Sequence, residues 1–476
     1  MTYSIDMLGI ENAAGLSRSS KANVAELRDV QSRMAGRNEL LDSYYDGTVS
    51  VSDFGITIDP ETMANDQVCF WPEKVVSALS DRIQLTGWAF PDGADDAGFR
   101  ALDGRNRIGS AYMRYLPNCL VHGCMFAVTG RGETGTYVRF HNAKTATAVP
   151  SDDYDSGGVA CGMAVASVGR TEWSAGRPVV RRVNLYEPGL VTELTQVAAS
   201  RWTARPMPVP ERQPLMVAFA HRATGEKPFG QSRISRAVQS ITRDAVRTMF
   251  RMECSSAFHA MPQKFLMGMA EDQMDTFVEM KRKLYADDVL LMTRDEEGNV
   301  PTFGQVSGNS PQPFVEQMRF LASLLAGMTG VPLASLGVVQ DNPSSAQAIE
   351  AAREDIVVAA MRQTDADAAS LRRLAALAMA VEGNTTVGAL SESQRAVSPL
   401  FADPRTPSPV SQADAMVKIA SVAPWVAETD VFLERLGFPE ADIRRLDEAK
   451  SRIDARAVLA GTGAQAALQL PAGGAE

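Results

Sequence analysis

Apolar residues recur at three- and four-residue steps through much of this chain, and the clearest stripe runs from Pro313 to Thr329. Phe314, Met318, Leu321, Leu324, Leu325 and Met328 share one helix face there, and Gly330 with Pro332 stops the pattern. A second helix restarts from Asn342, with Pro343 at its first position, or from Ser344, with Gln347 reciprocating three residues later. It runs without proline or glycine to about Val381. At 1.5 Å per residue that is ~55 Å, more than a small domain can cover, so a large body must hold it. Earlier helical spacing covers Asn23–Tyr45 (stopped at Gly47), Pro72–Asp81 and Asp96 to about Leu116. Ser232 can cap a further helix whose apolar face is Ile234, Val238, Ile241, Ala245 and Met249.

Between these helices the period changes to two. Gln84–Phe90 reads as a short strand. Met125–Val128 and Thr136–Phe140 read as a hairpin with a long glycine-rich loop, followed by strands at Val159–Val168, Val179–Tyr186, Val191–Ala198 and Leu215–Ala220. Arg205–Pro214, punctuated by prolines, is expected to be an extended connector. Lys264 to Gln312 predicts a compact insert: a strand (Lys264–Met267), a helix (Asp272–Tyr285), a strand (Val289–Thr293) and a further extended run. The order of elements gives an α+β fold, helices before a mainly antiparallel sheet and long helices after it. Pro399–Pro409 is expected to be a linker, Gln412 to about Lys450 helical, and the Ala/Gly/Gln-rich tail frayed.

Composition narrows the chemistry. The chain has 476 residues, 45% of them apolar, and a formal net charge of -10. That charge argues against a general basic coat for nucleic acid, yet suits a surface that DNA must slide past without sticking. No apolar run is long enough for a membrane span, and the first residues lack a signal-peptide pattern, so use without secretion is expected. The cysteines (Cys69, Cys119, Cys124, Cys161 and Cys254) are five in number and scattered, which predicts reduced thiols. Cys119, His122 and Cys124 lie close together, but with no second cluster they are read as buried small residues rather than a metal site. GRGETG at 130–135 lacks the Lys-Ser/Thr of a phosphate loop and leads into a strand. Asp152, Asp153 and Asp155 lack the glycine and distal glutamate of a calcium loop.

The four histidines (His122, His141, His221 and His259) stand apart, and no nucleophile pattern accompanies them, so no catalytic residue, cofactor or metal is assigned. Arg236, Arg243, Arg247 and Arg251 line one side of the helix after Ser232. They read as a solvated face or, alternatively, as a subunit interface or a band approaching DNA backbone. From Glu271 to Glu297 there are nine acids and four bases, a local charge of -5 that reads as a protruding contact module or, alternatively, as a small surface subdomain.

Several short pieces, each weak alone, occur in a specific joint order: Leu41-Asp42-Ser43-Tyr44-Tyr45-Asp46-Gly47; Val75-Val76 to Arg82 with Gly87; and Val217 to Arg222 leading into Pro228-Phe229-Gly230-Gln231-Ser232. Asp244-Ala245 follows, then Met261-Pro262-Gln263-Lys264 with Gly268, Thr329-Gly330-Val331-Pro332 to Leu336-Gly337, and Asn342-Pro343-Ser344-Ser345-Ala346. In this order they resemble the portal proteins of tailed bacteriophages, in particular the short portal family common among actinobacteriophages.

The resemblance implies a portal fold: an α/β wing, a two-helix stem, a small α/β clip, a long kinked wing helix and a helical C-terminal crown. By that template residues 1–231 are the N-terminal part of the wing, 232–263 the first stem helix, 264–312 the clip and 313–330 the second stem helix. Residues 331–345 are the tunnel loop, 346–398 the wing helix region, and 399–476 the linker, crown-like helices and flexible tail. It implies a ring of twelve subunits at a capsid vertex of the virion, assembled in the host cytoplasm. Double-stranded DNA passes non-specifically, and the terminase large subunit, a head-tail adaptor and the major capsid or scaffold protein are partners, with no membrane. Gly337, Val338, Val339, Gln340, Asp341 and Asn342 would form the DNA-channel loop, which carries no positive charge to trap phosphate. Asp287, Asp288, Asp295, Glu296 and Glu297 would be clip contacts. The alternatives are another phage head or neck protein, or a metal-dependent nuclease using scattered acids.

Overall fold

The computed structural model describes residues 7, 9–49, 67–91, 97–170, 178–260, 264–267, 302–305, 310–338, 351, 353–405, 409–438, 442–443 and 445–453. The chain forms two compact units, Met1–Pro404 and Arg405–Glu476. Helix and sheet are mixed as expected.

In the first unit, α1 (Arg18–Tyr45) begins five residues before the apolar spacing does, because Ser17 accepts a hydrogen bond from the Ser20 amide at 3.1 Å and caps it. Next come α2 (Trp71–Ser80) and β1 (Leu85–Ala89). The single helix expected from Asp96 to Leu116 is two: α3 (Ala97–Asn106) and α4 (Ile108–His122). Arg107 breaks them with φ 50°, and the Asp103 carboxylate accepts from the Ile108 amide at 3.0 Å, restarting the helix. α4 also runs through Pro117, where the sequence reading stopped it.

The strands β2 (Cys124–Gly132) and β3 (Gly135–Asn142) pair in register down to Gly132 and Gly135, so the glycine-rich stretch is a tight two-residue turn rather than a long loop. Then come β4 (Ala146–Pro150), β5 (Val159–Gly169), β6 (Val179–Glu187), β7 (Leu190–Ala198), β8 (Arg201–Pro208) and β9 (Met216–Ala220). β4 to β8 form an antiparallel five-stranded meander in chain order, and β3-β2-β9 form a second sheet. The expected connector from Arg205 is therefore half strand: Pro206 and Pro208 sit on β8, the sheet's edge, opposite Thr192 and Leu190. An edge position spares proline the amide that an interior strand needs.

A small core under the five-stranded sheet joins Ile10, Val24, Leu27, Val183, Leu185, Leu194 and Trp202. The main core gathers around the three-stranded sheet, α2, α4 and three later helices: α5 (Arg236–Ala260), α6 (Gln312–Thr329) and α7 (Glu354–Glu382). α5 packs on α6. Beyond them β10 (Lys264–Met267) and β11 (Thr302–Gln305) pair antiparallel, so the chain leaves along α5 and returns along α6. Gly330 ends α6 in the left-handed conformation, as the sequence predicts. The stripe on α6 divides: Leu321 and Leu325 are buried and Phe314 and Met318 half-buried, while Leu324 and Met328 join Phe320 on an exposed apolar face. α7 lies against β2, β3 and β9, and nearly every residue from Leu371 to Ala380 is buried. The expected caps at Asn342 and Ser344, and the helix and strand expected at Asp272–Tyr285 and Val289–Thr293, lie outside the described residues. A short α8 (Glu392–Arg395) precedes β12 (Ser398–Phe401), which pairs with β1, so the expected linker from Pro399 begins as a strand.

In the second unit α9 (Pro409–Val422) leads through a 3-10 turn at Pro424–Glu428 to α10 (Asp430–Leu436). The helical expectation holds there in part, with breaks at Ala423 and at Gly437, which has φ 94°. Val417, Val422 and Trp425 are exposed. The expected frayed tail from 454 onward lies outside the described residues.

Candidate functional site

The residues singled out in the sequence separate into three places. Gly337 (φ 86°) closes a 3-10 turn at Leu333–Leu336, and Trp71 Nε1 donates to the Leu336 carbonyl at 3.2 Å, fixing that turn to α2. Val338 is half-buried against the main core, whereas Val339, Gln340, Asp341 and Asn342 lie outside the described residues. On α5 Val238, Ile241 and Ala245 are buried as expected, with Val246 and Phe250 added; Met249 is half-buried, and Ile234 is buried just before the helix. Arg236 and Arg243 are exposed; Arg247 and Arg251 are half-buried, and Arg247 lies 3.4 Å from the Asp244 carboxylate. Asp287, Asp288, Asp295, Glu296 and Glu297 lie outside the described residues.

Cys119 and His122 have separate partners, and Cys124 is buried. The Cys119 thiol donates to the Phe219 carbonyl at 3.6 Å, His122 Nε2 is 2.8 Å from Asp42, and burial pushes the Cys124 thiol up to about 12. Among the described residues no group of three or more His, Cys, Asp or Glu could hold a metal. Asp153, in the acidic turn, pairs with Arg373 on α7.

What the sequence reading missed is a buried polar chain where β9, α4 and α7 meet. Tyr112 on α4 donates to Asp367 Oδ2 at 2.6 Å, and Gln363 Nε2 donates to the same oxygen at 3.0 Å and to the Ala220 carbonyl at 3.4 Å. Gln363 Oε1 is 2.7 Å from His221 Nδ1. One turn on, Ser370 donates to the Ala218 carbonyl at 2.9 Å. Burial pushes the Asp367 carboxyl up to about 7, against the lowering effect of the two donors. Burial, joined by the nearby Arg233 and Arg222 charges, pushes His221 down to about 4. The signal for half of this was present: Gln363, Asp367 and Ser370 put polar groups at i, i+4 and i+7 on a helix face that is otherwise apolar.

A backbone knot holds His221. Its amide donates to the Gly123 carbonyl at 2.8 Å, its carbonyl accepts from the Gln231 amide at 2.7 Å, and the Arg233 amide donates to Leu120 at 2.8 Å. The Arg233 side chain then donates to the carbonyls of Val75 (2.7 Å) and Thr329 (2.9 Å), tying α2 to the end of α6. Against this knot lies a cavity of about 610 Å³, walled by the end of β9, the start of α5, the end of α6 and one face of α7.

Comparison with known proteins adds the family context. No known family profile matches the chain. The portal protein of Mycobacterium phage D29 is 24% identical over 228 residues, 47% of this chain and 46% of that protein. Its curated relatives are portal proteins. The portal protein of Mycobacterium phage L5 is 23% identical over the same length, so the chain spans about half the length of the curated portal relatives it matches. Among solved structures, a chain from the neck of a native GTA particle computed with C12 symmetry aligns with 77% of this chain and 89% of its own, at 14% identity and a TM-score of 0.39. Among the described residues no helix is long and apolar enough to cross a membrane.

Proposed function

We propose that this chain is the subunit of a portal ring at one capsid vertex of a phage virion, forming the channel for DNA packaging and ejection. The observation that carries the reading is the 228-residue similarity to two mycobacteriophage portal proteins. The α5–α6 pair supports it, because α6 presents Phe320, Leu324 and Met328 to solvent at four-residue steps, a face suited to burial against a neighbouring copy. In this reading α5 and α6 are the stem, β10 and β11 begin the clip, α7 is the wing helix and the second unit the crown. The terminase large subunit and a head-tail adaptor dock at the clip, through Asp287, Asp288 and Asp295–Glu297, and the major capsid or scaffold protein surrounds the ring. Arg236, Arg243, Arg247 and Arg251 face the channel or a neighbour. The chain supplies no catalysis of its own, and assembly takes place in the host cytoplasm.

Native mass tests the reading. Twelve copies of 51.3 kDa give about 616 kDa. Native mass spectrometry of the purified chain is expected to find a closed ring near that mass, with an open centre in electron micrographs; a stable monomer or dimer with nuclease activity would overturn it.

The loop at 337–342 is proposed to line the constriction, where its lack of positive charge lets DNA pass. Deleting Val338 to Asp341 is expected to leave rings intact and to impair DNA retention in assembled particles. Particles that package and hold DNA normally would remove the loop from the mechanism.

A further inference from the structure

The second unit, Arg405–Glu476, buries little of its own apolar surface. Among its described residues only Met416 and Ile443 are buried, while Val417, Val431 and Ile453 are more than half exposed, Trp425 is 70% exposed and Val422 86%. Those five side chains together present on the order of 500 Å² of apolar surface, comparable with the apolar share of the ~800 Å² that one partner buries in a standard interface. The helices do not stand by propensity. α9 has 14 residues and α10 has 7, at or below the ~12–15 residues where an isolated helix is marginal. A unit of this size with so thin a core needs outside support to fold.

Charge and sequence narrow what can cover this surface. The unit carries eight basic and ten acidic side chains, with no positive surplus to hold polyphosphate. Lys418–Asp414, Arg445–Asp442 and Arg452–Glu448 pair at 2.6, 3.1 and 3.5 Å over three or four residues of their own helical runs, so these charges need no partner. What is missing is an apolar cover. Residues 454–476 offer four bulky apolar side chains, Val458, Leu459, Leu468 and Leu470, and no aromatic ring, too little to bury five large groups that include a tryptophan. A second copy brings an equal apolar surface of its own, and in a closed ring every copy has one on each side.

We propose that the second unit is an assembly module: in a lone copy it is only loosely ordered, and its helices become ordered against the second units of adjacent copies, with Val422 and Trp425 at the contact. The assignment rests on the portal-ring reading, which sets identical copies side by side. Folding and association are then one step for this unit, while the first unit, with its two cores, is folded before assembly.

Hydrogen-exchange mass spectrometry of the full chain tests the module, comparing assembled rings with lone copies obtained by dilution. Amides of 413–436 are expected to exchange about a hundred-fold more slowly in the ring, while α4 and β5 exchange alike in both. The double variant Val422→Asp and Trp425→Asp is expected to raise the concentration for half-assembly about ten-fold or more and to keep the main thermal transition, because both side chains are exposed in the single copy. Val422→Ile with Trp425→Phe is expected to assemble like the parent. Equal protection in lone copies and rings would show that the chain covers this surface itself and would overturn the proposal. Protection that appears in preformed rings only when a capsid or scaffold protein is added would assign the surface to that partner and overturn it too. Rings of the expected mass that ignore the two aspartates overturn the module and leave the portal reading standing; a chain that stays monomeric at every concentration overturns both.

Discussion

Gly230→Ala is expected to destabilise the first unit by at least about 3 kcal/mol. Gly230 has φ +71°, and a Cβ there would lie 2.3 Å from the His221 carbonyl oxygen, 2.7 Å from the Gly123 carbonyl oxygen and 2.9 Å from the His221 nitrogen. All three atoms are backbone, so none can rotate away, and relief requires opening the knot. The left-handed conformation alone costs an L-residue about 1–2 kcal/mol. Losing the His221–Gly123 and Gln231–His221 bonds adds roughly 1 kcal/mol each, more if the groups stay buried and unpaired. Gly189→Ala separates these contributions: Gly189 has φ +72° but nothing within 4 Å of its Cβ position. Its cost is expected to stay near the conformational cost alone, about 1 kcal/mol. Urea unfolding of the two variants should therefore differ by about 2 kcal/mol or more. Equal losses would show that the backbone contacts at Gly230 do not constrain the fold.

The knot explains why the Pro228-Phe229-Gly230-Gln231-Ser232 stretch stood out in the sequence while the polar chain it serves did not. A glycine followed by serines just before an apolar helical stripe is a local signal, but the cap of α5 is Ser235, which accepts from the Val238 amide at 3.3 Å, and not the expected Ser232, which accepts from the Ile234 amide at 3.0 Å ahead of the helix. The Tyr112–Asp367 bond spans 255 residues and the His221–Gln363 contact 142, and no spacing rule reaches that far. Helices with one apolar face, such as α2, α5 and α6, were legible because their burial follows a 3.6-residue period. Strands containing proline were not. Arg205–Pro208 and Pro399–Phe401 were read as parts of a connector and a linker, yet both belong to strands whose place in a sheet spares the proline an interior position. The break at Arg107 was illegible for a different reason: an arginine in the left-handed region is fixed by the Asp103 side chain and tertiary packing, and its own propensity argues for continuing the helix.

Asp367→Asn is expected to change how stability responds to pH, the variant's stability relative to the parent rising by up to about 4 kcal/mol between pH 4 and pH 8. Asp367 is wholly buried, and its carboxyl is pushed from 3.8 up to about 7, a rise of about three units. The folded state therefore holds this proton more tightly than the unfolded chain does. The stabilisation is complete below about pH 4 and is lost as pH rises through about 7, where the carboxyl must ionise away from water. His221 and His141 act in the opposite direction. Burial is the main cause that pushes each from 6.5 down to about 4, so the unfolded chain takes up protons first as pH falls below 6.5, and stability declines toward acid. Between pH 4 and 6.5 the two histidines together outweigh Asp367, so the parent should be most stable near pH 6.5, with an acid limb that Asp367 flattens and a further loss of under about 1 kcal/mol above it. Asparagine keeps the shape, and its Oδ1 can accept from both Tyr112 and Gln363 where Asp367 Oδ2 does. Its amide NH2 takes the position of Oδ1, which has no partner among the described residues in the parent either, so the cost at pH 4 is expected to be about 1–3 kcal/mol. Denaturant midpoints measured across pH 4 to 8 should show a steeper acid limb in the variant, since most of the Asp367 contribution is lost between pH 4 and pH 7, together with loss of the small decline just above pH 6.5. A difference from the parent that stays constant across that range would mean that the buried carboxyl does not titrate on folding. The chain from Tyr112 to His221 would then act by its geometry alone.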